Sequence, residues 1–322
     1  MLGILRPGLL LAVLVILPVS ASARPTVGIV MKVRSASGFW ASVEQGAKEA
    51  AEAADVDLIV KGSNDAGNVG VQLKLIDALV NQKIDALVIM PANPERLVDP
   101  LKALAATGVK IVVAESELSG ETGFPFVGYD QDKLAWSAAQ VDGALLKDGD
   151  EAAIFRGNTV DQVIVRRDRN IIAKLKEMYP NLRLHLDIFA TTNELGNVGQ
   201  KAELMLKKYP NSKLFIATSS LATSELLTTV KTLELGDKVK VAGFGSSLNA
   251  DTIQAIESGT MPVFVVQVPR EIGYKSVTAA VALIRGKPVP PKTDINFFVV
   301  TKENLNAPAI QPLKTEPLKT GK

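Results

Sequence analysis

From Thr26 onward the chain alternates short β-branched runs with stretches whose apolar residues recur every three or four positions, and this alternation limits its fold more than any other feature. Residues 26–31 (TVGIVM) have the composition of a buried strand, and over residues 38–55 Phe39, Val43, Ala47, Ala50 and Ala54 share one helical stripe. The pattern repeats through a strand at 56–60, a helix around 69–81, a strand at 85–90, a helix around 95–106 and a strand at 110–114. A second series follows residues 124–128, with strands at 151–155, 183–189, 213–218 and 240–244, each trailed by a helical pattern. Apolar strands separated by helices predict parallel sheets covered on both faces. Two such series predict an α/β protein of two doubly wound, Rossmann-like lobes, each with a crevice at the carboxyl ends of its strands. A closed (β/α)8 barrel is the competing arrangement. Late strands at 262–267 and 295–300, flanking a helix at 270–285, give the chain a route back between lobes that a barrel does not need.

Composition narrows the function. The 322 residues are enough for about two domains, and 36 Lys+Arg against 34 Asp+Glu leave a net charge of +2 with no basic block able to neutralise phosphates. Nucleic acid is therefore not an expected partner. There is no cysteine and one histidine, His185, so thiolate catalysis, Cys/His zinc sites and multi-histidine centres are excluded. Neither a cofactor nor a metal is expected. Gly243-Phe244-Gly245 after a strand is half of a dinucleotide fingerprint, but Leu248 stands at its third glycine and Val263 where an acid is needed. Asp65 and Glu115 form no catalytic pair, and no enzyme activity is expected.

The first residues form an export signal. Arg6 precedes an apolar run at 9–17 (LLLAVLVIL), Pro18 ends it, and Ala21-Ser22-Ala23 supplies the small residues of a cleavage site. Nine apolar residues are about half a bilayer span, so residues 1–23 are expected to be removed rather than retained as an anchor. The expected location is the periplasm. The Pro- and Lys-rich tail, 307–322, lacks apolar periodicity and is expected to be disordered.

Several segments in order resemble one family. Residues 33–40 (VRSASGFW), 85–91 (DALVIMP), 108–115 (GVKIVVAE), 241–245 (VAGFG), 265–269 (VVQVP) and Ile272-Gly273 are similar to segments of periplasmic substrate-binding proteins of the type I, ribose-binding-protein-like family. The resemblance implies a two-lobed clamp joined by a multi-strand hinge. Its N-terminal lobe would comprise 24–127 plus 268–294, and its C-terminal lobe 128–267 plus 295–306. It implies a monomer that captures a small organic solute and passes it to an inner-membrane ABC-type permease, or alternatively presents its closed form to a sensor kinase or chemoreceptor.

The residues that fall at the family's cleft positions are Ser37, Phe39, Trp40, Met90, Glu115, Ser116, Arg167, Asn193, Ser219, Gly245, Ser246 and Gln267. Trp40, at a helix start and off its apolar stripe, suits stacking on a ring face. Ser37 and Ser219 serve equally as helix caps. Glu115-Ser116 stands where the family carries Asp-Arg, so an acid is kept and an arginine lost. Of Arg166, Arg167 and Arg169, Arg167 fits the family spacing best, offering a planar donor fork. Gly245-Ser246 stands where sugar binders of this family place Asp after Gly-Phe, and Met90 where a cleft asparagine would sit. These exchanges predict a less polar pocket than a pentose needs, and a larger or less hydroxylated solute.

Overall fold

The structure is a computed structural model that describes residues 24–35, 38–63, 67–156, 161–188 and 198–314. The expected export segment, Ser37, Asp65 and Asn193 lie outside the described residues.

The first series builds β1 (Thr26–Met31), α1 (Gly38–Ala54), β2 (Asp57–Gly62), α2 (Val69–Val80), β3 (Ala86–Ile89), α3 (Val98–Ala106), β4 (Lys110–Ala114) and β5 (Phe126–Gly128). The second builds α4 (Gln131–Gly143), β6 (Glu151–Arg156), α5 (Gln162–Met178), β7 (Arg183–Ile188), α6 (Val198–Lys208), β8 (Leu214–Ala217), α7 (Ser220–Thr232), β9 (Val241–Gly245), α8 (Ala250–Ser258) and β10 (Val263–Gln267). The chain then runs through α9 (Pro269–Ile284), β11 (Lys292–Asp294) and β12 (Phe297–Val300).

These strands form two separate six-stranded sheets, in the orders β11-β5-β4-β3-β1-β2 and β12-β10-β9-β8-β6-β7. The barrel alternative is thereby excluded: a barrel closes one sheet on itself, and here each sheet has two edges. All pairings are parallel except β10 with β12. In each sheet the strand order reverses once, between β1 and β3 and between β6 and β8, which places the crevices at the carboxyl ends of these strands.

Between the sheets the chain crosses three times, after β5, after β10 and after β11. At the third crossing the Ile295 amide donates to Gly128 O at 2.8 Å, tying it to the first. The short strand β11 went unread in the sequence because its exposed Lys-Thr-Asp carries no apolar signal.

Apolar stripes become cores as expected. Val43, Ala47 and Ala50 of α1 are buried with Ile272, Val277 and Ala280 of α9 against the first sheet. Disorder from Ala307 is corrected over 307–314. Leu305 and Ile310 are buried with Leu248, the Leu248 amide donates to Leu313 O at 2.9 Å, and a 3-10 turn spans Gln311–Leu313. Two well-spaced apolar residues sufficed to dock this segment although it lacks any helical or strand period.

Candidate functional site

The loops leaving the carboxyl ends of β1, β4, β6 and β8 place a charged cluster between the lobes. Lys32 directly follows β1 and is buried to 3% exposure. Its ammonium donates to Glu115 Oε2 at 2.7 Å, Ser116 Oγ at 2.5 Å and Asp161 Oδ1 at 3.1 Å. Glu115 and Ser116 leave β4 in the same lobe, whereas Asp161 belongs to the other lobe and caps α5 by accepting from the Val163 amide. Ser116 Oγ also donates to Glu115 Oε2 at 2.7 Å. Glu115 adopts φ 64°, a left-handed conformation uncommon outside glycine.

The ionisation of this cluster follows from its geometry. Burial opposes the charge of Lys32, but Asp161 and Glu115 outweigh it and hold the ammonium above its ordinary pKa. Burial likewise opposes the charge of Asp161, and Lys32 overcomes it to hold the carboxyl below its ordinary range. Both groups are charged at neutral pH.

Arg167 lies beside this cluster, buried on the α5 stripe with Val163, Ile171 and Leu175. One guanidinium nitrogen donates to Thr218 O at 2.8 Å, the other reaches Gln131 Oε1 at 3.4 Å, and the group lies 4.6 Å from the centre of the Phe244 ring. Burial lowers its pKa from the usual arginine value, opposed by Asp161, Asp168 and Glu115. Arg167 Nε and Gln131 Nε2 have no hydrogen-bond partner among the described residues. Arg166 instead bridges Asp132 and Glu117 at the surface, and Arg169 is exposed. The helical stripe that buries Arg167, and not Arg166 or Arg169, was present in the sequence.

Other expected positions divide. Phe39 and Trp40 open α1, half-buried, with ring centres 5.2 Å apart and planes at 77°, an edge-to-face pair packed on the core. Gln267 ends β10, buried at the second crossing. Ser219 caps α7, accepting from the Ala222 amide at 3.2 Å. Met90 is corrected: its side chain is fully buried in the apolar core, and only its carbonyl meets a polar side chain, that of Gln72 at 2.7 Å.

Gly245 and Ser246 line a groove of about 560 Å³ between α7 and α8. A Cβ at Gly245 would lie 2.4 Å from the Phe264 ring, so that aromatic occupies the space a larger residue would need. The loss of polarity expected from these exchanges is offset by residues that were not singled out in the sequence: Lys32, Gln131 and Asp161. A polar residue at the carboxyl end of the strand beside the order reversal was the available signal for Lys32. His185 stands away from the cluster, stacked on Tyr209 at 4.1 Å and 3.2 Å from Glu151.

Comparison with known proteins gives one consistent picture. A family model described as a periplasmic binding protein domain matches residues 27–288. The chain is 26% identical over 243 residues to a D-ribose/D-allose-binding protein of Pseudomonas aeruginosa, covering 73% of each chain. It is 21% identical over 295 residues to the ribose import binding protein RbsB of Escherichia coli, covering 88% of this chain and 93% of that protein. A carbohydrate transporter solute binding protein from Agrobacterium radiobacter, solved in complex with D-arabinose, is similar with a TM-score of 0.80 and 25% identity, covering 92% of this chain and 100% of the other.

Proposed function

This chain belongs to the periplasmic binding protein domain family, and from that premise we propose that it captures a sugar or sugar-like solute between its lobes in the periplasm and delivers it, chemically unchanged, to a membrane ABC-type transporter. The observation that carries this reading is the buried polar cleft. Arg167 Nε and Gln131 Nε2 are buried donors lacking partners among the described residues. Each such group costs about 1–3 kcal/mol unless something accepts from it. A hydroxylated ligand supplies acceptors there, and Glu115 offers Oε1 in return, its Oε2 being held by Lys32 and Ser116. These buried charges favour a hydroxylated solute over the less polar one that Gly245, Met90 and Ser116 suggested. The curated relatives, named for ribose and allose binding, support the same class.

Trp40, Glu115, Arg167 and Gln267 are the proposed contacts, with Trp40 stacking on the apolar face of the ring. Micromolar capture needs about −8 kcal/mol, within reach of one aromatic stack, several hydrogen bonds and the desolvation that follows lobe closure.

Titration of the protein with D-ribose, D-arabinose and D-allose, following tryptophan emission and melting temperature, tests the reading. Trp136 is 53% exposed, so a ligand-dependent emission change is expected from half-buried Trp40. Saturable binding that Arg167→Ala abolishes is the expected result, with the sugar recovered intact. A response surviving the combined Trp40→Ala, Glu115→Ala and Arg167→Ala variant would remove these residues from the site. No response to any sugar, polyol or nucleoside would overturn the function.

A further inference from the structure

The ammonium of Lys32 has three N–H donors, and the protein itself occupies all three. Two partners, Glu115 and Ser116, belong to the lobe that carries Lys32, and the third, Asp161, belongs to the other. An ion pair with both partners largely withdrawn from water is sensitive to distance and geometry in a way that surface pairs are not. Separating the lobes would part Lys32 from Asp161 and leave Glu115 and Ser116 on the same side as before. The three N-lobe groups are also mutually fixed, since Ser116 Oγ bonds Glu115 and Glu115 is held in its left-handed backbone conformation. Asp161 is fixed in turn, because the same carboxylate oxygen that meets Lys32 accepts from the Val163 amide at the start of α5.

We propose that Lys32 is an interlobe positioning residue, which holds Glu115 and Asp161 at their closed spacing before any ligand arrives and so raises the affinity for solute by pre-organising the cleft. It acts through these two acids and not by contacting the solute, its donors being filled. The claim about affinity rests on the solute-binding function proposed above; the claim about lobe spacing does not.

Solution X-ray scattering of the ligand-free protein tests the spacing directly. Lys32→Met, which keeps the length of the side chain and removes its charge, is expected to enlarge the radius of gyration. Asp161→Asn is expected to do the same, and the double variant to expand no further than either single one, because both break the same contact. Lys32→Arg should restore part of the compaction. D-arabinose affinity, measured by calorimetry, is expected to fall about thirtyfold or more in Lys32→Met, the usual scale for truncating one partner of a buried charge pair.

A ligand-free Lys32→Met protein as compact as the wild type, or expansions that add in the double variant, would overturn the proposal. If Lys32→Met does not fold, Asp161→Asn alone decides: unchanged compaction in that variant overturns it. A wild type that binds no sugar but expands on Lys32→Met would retire the solute reading and leave the latch standing.

Discussion

Asp142, on α4, is fully buried, and neither carboxylate oxygen has a hydrogen-bond partner among the described residues. Burial with nothing to compensate pushes its carboxyl up to about 8. The folded state therefore binds this proton more tightly than the unfolded chain, whose Asp titrates near about 3.9. The contribution of Asp142 to stability falls as pH rises from about 4 to about 8 and then levels off. Asp142→Asn keeps the shape and cannot ionise, so it is expected to flatten this part of the profile and to gain a few kcal/mol at pH 9. Urea unfolding at pH 5 and pH 9 reads the difference, and equal pH slopes in both proteins would refute the assignment. The contrast with Asp161 is instructive. That acid is also largely withdrawn from water, yet Lys32 lies 3.1 Å away and reverses the direction of its shift.

At the scale of elements, the tightest packing joins α1 and α9. A Cβ on Gly273 would lie 1.9 Å from Val43 O, and one on Gly46 would lie 1.9 Å from Arg270 O. Each glycine thus admits the other helix's backbone, and no rotamer change can relieve a clash with a carbonyl. Gly273→Ala is expected to force the helices apart and destabilise the first lobe by about 1–3 kcal/mol or more, visible as a lowered melting temperature. A melting temperature equal to the wild type's would mean that α9 shifts freely. The segment after β12 makes the opposite point, that little is needed to dock a chain. Ile310→Ala there removes one buried side chain and is expected to cost about 2–5 kcal/mol, measured by urea unfolding; a change below about 0.5 kcal/mol would show that the segment contributes no packing energy.

At the scale of the whole molecule, two ion pairs span the lobes among the described residues, and their surroundings rank them. Arg166 and Glu117 meet at 3.0 Å with side chains about two-fifths exposed, whereas Lys32 and Asp161 meet at 3.1 Å with 3% and 16% exposed. An exposed pair contributes about 0–1 kcal/mol and is screened by salt, the Debye length shrinking from about 10 Å at 0.1 M to about 3 Å at 1 M. Salt up to 1 M, or Glu117→Gln, is therefore expected to leave the ligand-free radius of gyration unchanged. Marked expansion under either condition would transfer the closing interaction to the rim. The three crossings between sheets allow such motion, since only residues after β5, β10 and β11 need to change conformation.

By itself the sequence determined the two α/β series, because strand and helix periods are local properties of adjacent side chains, and it determined the family through segments kept in order along the chain. It also pointed to Arg167, through the spacing of the family resemblance, and the structure buries it on one stripe with Val163 and Ile171. Only the tertiary structure decided what surrounds that arginine. Lys32 and Asp161 are separated by most of one lobe in sequence and meet only because β1 and α5 face each other across the cleft. Met90 was expected to face the cleft but turns into the core, and Gly245 leaves its space to Phe264. Polarity at a cleft is set by whichever strands end there together, and that is a property of the sheet order, which no local pattern encodes.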